Sequence, residues 1–325
     1  MLLLVHKVRQ ERKDKIMLTL EEVFNDINVP FTVDENGAYQ IGDTTKYIKI
    51  RTLKESVDAF RNEKKRFYNM HFKYKDEGKQ LIYLEEFALE EPTVTDFTKP
   101  FIMMYFNGSP KRVFYARQVV CKEATRPKDR RTLSAFIKRY HLQQQVGARY
   151  YYGFYSKKND ELLGVMTFGK NLNPKYQKDE GLMELKRMVW LPDVQVRYGL
   201  SKGIQTFFKT HPEFDKVLSY SLNDISNGNA YEKAGFELAA HSNPGTRFKN
   251  PNDLLDNYSF QIKSSWGART GVIAKRIHPF PKEQCTSQFL EELIETELPH
   301  RSDDGKGYLP TVDSGNDTWI YYKNK

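Results

Sequence analysis

Cysteine is scarce in this 325-residue chain, and no long hydrophobic run occurs in it. Cys121 and Cys285 are the two cysteines, and neither has a second cysteine at CxxC spacing, which excludes a Cys-based zinc site and a disulfide framework. The apolar run at the N-terminus, Leu2 to Val5, is too short for a signal peptide, and no stretch reaches the roughly 18 apolar residues of a membrane helix. A reducing, cytoplasmic location is therefore expected.

No segment of the chain concentrates charge of one sign. Lysine and arginine outnumber aspartate and glutamate by 51 to 42, which gives a net charge of +9 that is spread along the chain. Such an excess suits a nucleic-acid partner, because phosphate contacts supply most non-specific affinity. It is equally compatible with an ordinary soluble protein of high pI, so DNA is an expected partner that charge alone does not establish.

Length and patterning predict an α/β (α+β) protein with a small basic domain over 1–125, a main domain over 126–250 and a C-terminal extension over 251–325 that packs on the main domain. In the first domain we expect a helix at LTLEEVFNDI, a strand at TKYIKIRT, a long helix ending near Gly78, and strands at QLIYLEEF, FIMMYF and RVFYARQVV. A basic linker follows from Cys121 to Arg131, and then a helix from Thr132 to Gln145.

The most informative stretch runs from Glu184 to Leu238. MELKRMVW alternates as a half-buried strand does, with core positions at Met183, Leu185, Met188 and Trp190. YGLSKGIQTFF opens a helix with small residues, whose exposed backbone N–H groups and dipole suit a phosphate. KVLSYS predicts another strand, and NGNAYEKAGFE a helix that stops at Gly235 before a further strand.

This order resembles the GCN5-related N-acetyltransferase (GNAT) family. Tyr231, Gly235 and Phe236 match its Tyr-x-x-x-Gly-Phe element, whereas Val196 and Ser201 depart from its pyrophosphate-binding pattern (Gln/Arg)-x-x-Gly-x-(Gly/Ala). ELKRMVW, YGLSKG, LSYSLNDISNGNAYEKAGFE and the block FIKRYHLQQQVGARYYYGFYSKKNDELLGVMTFGK are similar to the phage branch related to the Mom DNA-modification protein. The resemblance covers about residues 131 to 250 and implies a GNAT-like mixed sheet flanked by helices, in which RYYYGFYS and ELLGVMTFG are the second and third strands.

The resemblance also implies an acyl donor, acetyl-CoA or another acyl-CoA, and places it along the central strand and the turn after it. The carbonyl would be polarised by backbone amides at the end of the strand, and the pyrophosphate would lie at the helix start. The expected cofactor-binding residues are Val189, Trp190, Leu191, Tyr198, Gly199, Leu200, Ser201, Lys202 and Gly203.

Acyl transfer to an amine needs an acid for the thiolate and a base for the amine. Tyr231 matches the family's acid beside the sulfur, although it could instead be a packed helix tyrosine. For the base, His141 has an ordinary pKa near neutrality but could be a surface residue, Asp224 could instead cap a helix, and Glu184 could instead pair with Lys186 or Arg187. We rank them in that order.

The acceptor side is expected to contain the aromatic strand that follows Arg149. Its rings could stack an unpaired or flipped base, although tyrosine is also simply a common strand residue. The predicted substrate or DNA contacts are Arg149, Tyr150, Tyr152, Ser219 and Tyr220, with the polar segment Asn171 to Glu180 as a loop on the same side.

The N-terminal module, especially KDEGKQLIYLEEF, resembles small endonucleases of the very-short-patch-repair type. Such enzymes hold magnesium with several carboxylates, but after Asp43 the second position holds Tyr47. We therefore predict no metal and a degenerate nuclease-like module that binds DNA or packs on its neighbour.

In the C-terminal region NPGTRFKNPND reads as a turn, YSFQIKSS as a strand, SQFLEELIETEL as a helix, and the end as a hairpin-like Ser-Gly-Asn turn with an aromatic strand. The preferred function is acylation of DNA bases or base-attached amines. The alternatives are a non-enzymatic DNA-binding protein that keeps both scaffolds, or a conventional small-molecule or protein acetyltransferase.

Overall fold

The computed structural model describes residues 18–51, 66, 69–89, 98–106, 112–141, 146–242, 246–249, 260–261, 309–312 and 314–324. These form two compact units. The first takes its described residues from 18–95, 223–225 and 243–315, and the second from 96–222, 226–242 and 316–325. The expected boundaries near 125 and 250 are therefore not the divisions that the contacts make.

The first unit begins with helix α1 (Leu20–Asp26), which Thr19 caps. The Glu22 amide donates to the Thr19 hydroxyl at 3.1 Å and the Thr19 amide donates to the Glu22 carboxylate at 2.6 Å. This reciprocal pair satisfies two N–H groups that a helix start leaves without partners, so the helix begins where the sequence predicts.

A four-stranded sheet follows in the first unit, with the order β1-β2-β3-β4. Its strands are β1 (Phe31–Val33), β2 (Tyr39–Ile41), β3 (Lys46–Arg51) and β4 (Gln80–Glu85), and β3 and β4 pair in parallel. Helix α2 occupies residues 69–76 before β4, and the chain turns at Gly78, where φ is +69°. The predicted helix end at this glycine is confirmed.

The first unit also holds a three-stranded sheet made of β13 (Thr246–Lys249), β14 (Phe260–Gln261) and β15 (Leu309–Val312), with β13 in the middle. The turn predicted at NPGTRFKNPND contains β13, which is a strand. The helix predicted at SQFLEELIETEL lies outside the described residues.

The second unit is built on a seven-stranded mixed sheet with the order β12-β16-β11-β9-β8-β7-β6. Its strands are β6 (Val119–Glu123), β7 (Tyr150–Ser156), β8 (Leu162–Gly169), β9 (Leu182–Trp190), β11 (Lys216–Leu222), β12 (Glu237–His241) and β16 (Asn316–Tyr322). Only the pair of β9 and β11 is parallel among these neighbours. A mixed sheet flanked by helices, the predicted fold class, is confirmed.

The described residues of the second unit include the α-helices α3 (Lys99–Phe106), α4 (Pro127–Tyr140), α5 (Gly199–Thr210) and α6 (Asn229–Lys233). Alternate residues of β7 point to opposite faces of the sheet. Tyr152 and Phe154 pack in one cluster with Phe207 of α5, whereas Tyr151 packs in another with Ile137 of α4. The two long helices therefore cover opposite faces of the sheet.

A short parallel ribbon completes the second unit. It pairs β5 (Arg112–Tyr115) with β10 (Val194–Arg197), and a 3-10 turn at Ala116–Gln118 joins β5 to β6. The expected single strand RVFYARQVV is thus two strands, and β10 was not predicted.

Two further predictions, for FIMMYF and for the linker, are wrong. FIMMYF is part of helix α3 rather than a strand, because a short continuous apolar run has no periodicity that distinguishes the two. The predicted linker from Cys121 to Arg131 contains the end of β6 and the start of α4, which begins at Pro127, a residue suited to a first helical turn.

The C-terminal hairpin does not form, because the two strands pair with different partners. β15 pairs with β13 in the first unit, whereas β16 inserts between β11 and β12 of the second. Residues 316–322 are therefore an interior strand of the sheet, next to the edge strand β12, rather than part of an extension that packs upon it. In the ranges that the structure describes, no helix is long and apolar enough to cross a membrane.

Ending the chain after Gly315 should abolish folding of the second unit, because β11 and β12 each lose their ladder with β16 and Trp319 leaves the core. Circular dichroism and thermal unfolding of the purified truncation measure this effect. A chain that ends after Tyr322 keeps the whole of β16 and should unfold as the full-length protein does. A cooperative transition of full amplitude in the shorter truncation would contradict the central place of β16.

Candidate active site

The central feature of the site is a gap between strands β9 and β11. Their parallel pairing starts at Leu182 and Lys216 and ends at Glu184 and Leu218. Beyond this point β9 continues along β8 to Trp190, and β11 continues along β16 to Leu222. The two strands thus separate at Leu185 and Ser219.

At the closed end of the gap a side chain takes the place of the backbone ladder. The Ser219 hydroxyl lies 3.3 Å from the Leu185 carbonyl oxygen and 3.0 Å from the Tyr231 phenol oxygen. Its single proton can serve one of these acceptors at a time. When it is donated to the phenol oxygen, the proton of Tyr231 itself remains available for transfer.

Tyr231, the predicted acid, is fixed at this point by its neighbours. Its ring stacks on Trp319 at 5.9 Å between centroids and meets Phe236 edge-on at 5.3 Å. Burial raises the pKa of the Tyr231 phenol, while the Ser219 hydrogen bond and the Arg187 charge oppose the rise. The phenol is therefore protonated at neutral pH, as an acid must be, and the packed position that was its structural alternative is also real.

A bulge in β9 controls which side chains face each side of the gap. Leu185 pairs with Phe168 and Arg187 pairs with Thr167, which are consecutive residues of β8. Lys186 is therefore the extra residue of β9 that forms the bulge. Leu185 before the bulge and Met188 after it both pack on the α5 side, whereas Val189 packs on the α4 side. The apolar spacing of three between Leu185 and Met188 is a sequence signal for this bulge.

Three polar side chains occupy the neighbourhood of the bulge. Lys186 donates to Glu184 at 2.6 Å, and the two side chains are 9% and 13% exposed. Arg187 donates to the Lys186 carbonyl at 2.8 Å. Burial raises the pKa of Glu184 despite Lys186, and burial lowers the pKa of Arg187 despite the nearby Glu184 and Tyr231. The ion pair of Glu184 with Lys186, left open by the sequence, is present.

His141 is the C-cap of α4 and lies near Arg187. Burial, together with the Arg187 charge, lowers the pKa of His141 to about 3. The near-neutral pKa on which its first rank as a base depended is therefore not the pKa in the fold. A neutral imidazole of such low basicity is a weak proton acceptor, so its catalytic role stays a prediction with less physical support.

Asp224 belongs to the first unit and is used there as a structural residue. Its two carboxylate oxygens accept from the Arg51 guanidinium at 2.8 and 3.2 Å, and one also accepts from the Ser314 amide at 2.9 Å. Burial alone would lower the pKa of Arg51, but the Asp224 carboxylate outweighs it and raises the pKa. A carboxylate engaged in this way is a poor general base, which corrects its second rank.

The helix that the sequence predicts to open at YGLSKG is α5, which starts at Gly199. Tyr198 precedes α5 in the left-handed region at φ +62°, is 73% exposed, and makes no side-chain hydrogen bond to the helix start. The first N–H groups of a helix have no intrahelical partner. The N–H groups of Gly199, Leu200 and Ser201 therefore point out of the start of α5, and the Tyr198 side chain does not cap them. Lys202 follows, and its amide donates to the Tyr198 carbonyl at 3.0 Å.

The glycines of this turn have a packing role that the sequence did not reveal. A Cβ on Gly199 would lie 2.5 Å from the Trp190 indole, and one on Gly203 would lie 2.5 Å from the Met166 methyl carbon. Trp190 also packs on Phe154 at 4.7 Å between ring centroids. These contacts fix the start of α5 against the end of β9, beside the gap.

Only part of the expected amide set faces the gap. The Leu191 amide donates to the Leu163 carbonyl at 2.9 Å, so it is used within the sheet. Because N–H groups alternate between the two sides of an antiparallel pair, the Val189 amide also faces β8, while those of Trp190 and Met188 face the side where β11 has separated. Met188 was not among the predicted residues, and the register of β8 was needed to find it.

The predicted base-stacking tyrosines are not available for stacking. Tyr150 is 7% exposed and Tyr152 is 0% exposed, because both point into the core under α5. The Tyr152 hydroxyl lies 2.5 Å from that of Thr210, and the Arg149 guanidinium lies 5.0 Å from the Tyr150 ring centroid. This prediction is wrong for both rings, since their place on the strand puts them on the helix-covered face.

The two remaining substrate candidates have different positions. Ser219 is buried at the closed end of the gap, where it contacts Tyr231. Tyr220, the next residue of β11, is half-buried and its hydroxyl accepts from the Asn171 side chain at 3.2 Å. Cys121 has no support as a thiol nucleophile, because burial raises its pKa to about 12, and Cys285 lies outside the described residues.

No protein-family model matches the chain, and neither does any curated relative. Among solved structures, a GNAT-family acetyltransferase from Bacillus anthracis is 9% identical with a TM-score of 0.31, over 64% of this chain and 96% of its own. A dodecameric spermidine N-acetyltransferase from Vibrio cholerae is 10% identical with a TM-score of 0.32 over the same shares. A putative streptothricin acetyltransferase from Bacillus anthracis str. Ames, solved with acetyl coenzyme A, is 10% identical with a TM-score of 0.25, over 56% of this chain and 67% of its own. TM-scores this low identify neither a substrate nor a site residue of this chain.

Replacing Gly199 with alanine should destabilise the protein by about 1–3 kcal/mol, because the added methyl group overlaps the Trp190 indole. Urea unfolding measures the loss. Gly147→Ala is the matched control, since a Cβ there meets no atom within 4 Å. Equal stability of the two variants would show that Gly199 is not needed for packing.

Asp224→Asn should cost about 3–5 kcal/mol of stability, because the buried Arg51 guanidinium loses its counter-ion. The same denaturation experiment detects it, with Asp160→Asn as the control, whose side chain is 78% exposed and 3.5 Å from Lys122. If Asp224→Asn instead unfolds like the wild type and loses only catalytic activity, Asp224 is a catalytic residue after all.

Proposed function

We propose that the chain is a GNAT-like acyltransferase that uses an acyl-CoA donor and modifies an amine of DNA, on a base or on a base-attached group. The observation that carries the proposal is the gap between β9 and β11, with Tyr231 and Ser219 at its closed end. The order of elements around the gap, from α4 through β7, β8, β9, α5 and β11 to α6, is the order expected from the resemblance to the family.

The donor lies on the α5 side of the gap. The N–H groups of Gly199, Leu200 and Ser201 receive the pyrophosphate, where the helix dipole favours negative charge. The acyl arm then follows β9, whose Met188 and Trp190 amides face the gap. Hydrogen bonds from these amides would strengthen as the thioester carbonyl oxygen gains negative charge.

The reaction proceeds by attack of the acceptor nitrogen on the thioester carbon. When the tetrahedral intermediate collapses, the C–S bond breaks and the CoA sulfur takes the proton of the Tyr231 phenol. The Ser219 hydroxyl, 3.0 Å away, then donates to the phenolate and stabilises it. Arg187 provides positive charge nearby, which lowers the cost of the phenolate further.

The acceptor amine loses its proton on the α4 side of the sheet. Glu184 fits this role better than His141 does, because burial raises the pKa of its carboxyl group towards the range of an effective base. Its ion pair with Lys186 keeps the carboxylate in place, and the Lys186 charge offsets only part of the rise in pKa that burial causes. The ranking of the bases is therefore Glu184 before His141.

A basic helix favours a polyanionic acceptor. Helix α4 ends at Tyr140, just before its C-cap His141. Asp129 is its only acidic residue, whereas several of its cations are exposed: Lys128, Arg131, Lys138 and Arg139. Phosphates of a nucleic acid would be attracted to this surface, and the attraction would weaken as salt increases. With Tyr150 and Tyr152 buried, the support for DNA comes from charge rather than from base stacking.

The test is mass spectrometry of nucleosides from the DNA of a bacterial host that expresses the protein. We expect a nucleoside whose added mass identifies the acyl group, and a reduction by a factor of about 10² to 10⁴ in the initial rate of its formation for Tyr231→Phe, since general acids contribute on that scale. Tyr322→Phe, an exposed tyrosine in the same sheet, is the control and should leave the product unchanged.

Two results would contradict the proposal. An unmodified digest, combined with DNA binding by the purified protein, would favour the non-enzymatic DNA-binding function. Acylation of a small amine or of a protein, with DNA unchanged, would favour a conventional acetyltransferase.

A further inference from the structure

The exposed face of the ribbon made by β5 and β10 carries an aromatic ring with two arginines around it. Tyr115 and Arg197 are direct partners in the parallel register. The Arg197 guanidinium lies 5.4 Å from the Tyr115 ring centroid and donates to its hydroxyl oxygen at 3.2 Å. Tyr115 is 39% exposed and its neighbour Val113 is 43% exposed, so the ring and the apolar side chain form an accessible platform.

The second arginine comes from the turn that follows β5. The Tyr115 amide donates to the Gln118 side-chain oxygen at 2.8 Å, which closes the 3-10 turn. This turn brings the Arg117 guanidinium to 5.5 Å from the same ring centroid. Two positive charges are thereby held beside one exposed aromatic ring.

These charges are not neutralised by the part of the chain that the structure describes. Neither Arg117 nor Arg197 has a carboxylate within ion-pair distance there, and their contacts are with Tyr115. Arg112, at the start of the same β5, shows the contrast, since it meets Glu161 at 2.8 Å and Asp193 at 2.7 Å. A pair of guanidiniums next to a flat, exposed ring suits a phosphate attached to a nucleoside, because arginine binds phosphate in a bidentate manner and a base can stack on an aromatic face.

We infer that this platform binds the 3′-phosphoadenosine end of the acyl-CoA donor, an inference that rests on the proposed function. Arg197 lies two residues before Gly199, where the first turn of α5 would hold the pyrophosphate. In CoA the pyrophosphate is attached directly to the ribose that carries the adenine and the 3′-phosphate. Arg117 and Arg197 would contact the 3′-phosphate, and Tyr115 would lie against the adenine.

Titration calorimetry of the full chain with CoA and with 3′-dephospho-CoA tests this assignment, because the two ligands differ only in the 3′-phosphate. The wild type should bind CoA at least about tenfold more tightly, as expected for one charged hydrogen-bonded contact. In Arg117→Gln and Arg197→Gln this ratio should fall towards one through weaker binding of CoA, while the affinity for 3′-dephospho-CoA stays the same.

Lys323→Gln is the matched control, because Lys323 also lies over an aromatic ring, at 5.5 Å from the Phe208 ring centroid, and its loss removes the same charge. This variant should retain the wild-type ratio. Equal affinity of the wild type for both ligands, or an unchanged ratio in both platform variants, would overturn the inference while CoA binding still upheld the proposed function. Absence of CoA binding by the wild type would overturn both. A loss of DNA affinity in the platform variants with the CoA ratio intact would assign the arginines to nucleic acid and overturn the inference.

Discussion

The early end of the ladder between β9 and β11 is the constraint on which the rest of the second unit depends. Two neighbouring parallel strands that stay paired would close the sheet at this point and leave no room for a ligand. Here the pairing stops at Glu184 and Leu218, while each strand keeps its other neighbour. The backbone polar groups that the ladder would have used then become available, either to Ser219 or to a ligand.

Packing on each side of the gap keeps the two strands apart. On the β11 side, β16 pairs along the whole length of β11 and brings Trp319 under Tyr231. On the β9 side, the bulge at Lys186 and the wedged Trp190 direct the strand towards the start of α5. The gap is thus a product of packing on both sides, and Tyr231, the proposed acid, is part of that packing. A packed position and the proposed role are compatible for Tyr231, because a general acid has to be held in place and protonated.

The electrostatics of the gap follow from the same bulge. It places a cation, Arg187, near both His141 and Tyr231, and an anion, Glu184, in a buried pair with Lys186. The Arg187 charge adds to the effect of burial in lowering the pKa of His141, whereas at Tyr231 it opposes the burial that raises the pKa of the phenol. A histidine of low basicity and a phenol that stays protonated at neutral pH are the consequences. Of the predicted bases in this unit, the carboxylate is the one whose pKa moves in the useful direction.

The sequence by itself determined the local features of this protein: the capped start of α1, the strand and turn order from Glu184 to Leu238, the stop at Gly235 and the mixed α+β class. Each depends on neighbours along the chain, where periodicity, caps and glycine conformations act. Only the tertiary structure decided which side of β7 faces a helix, that β16 lies inside the sheet, that Asp224 pairs with Arg51, and that His141 is buried beside Arg187. These outcomes depend on contacts between residues far apart in the chain, and no local pattern carries information about a partner that distant.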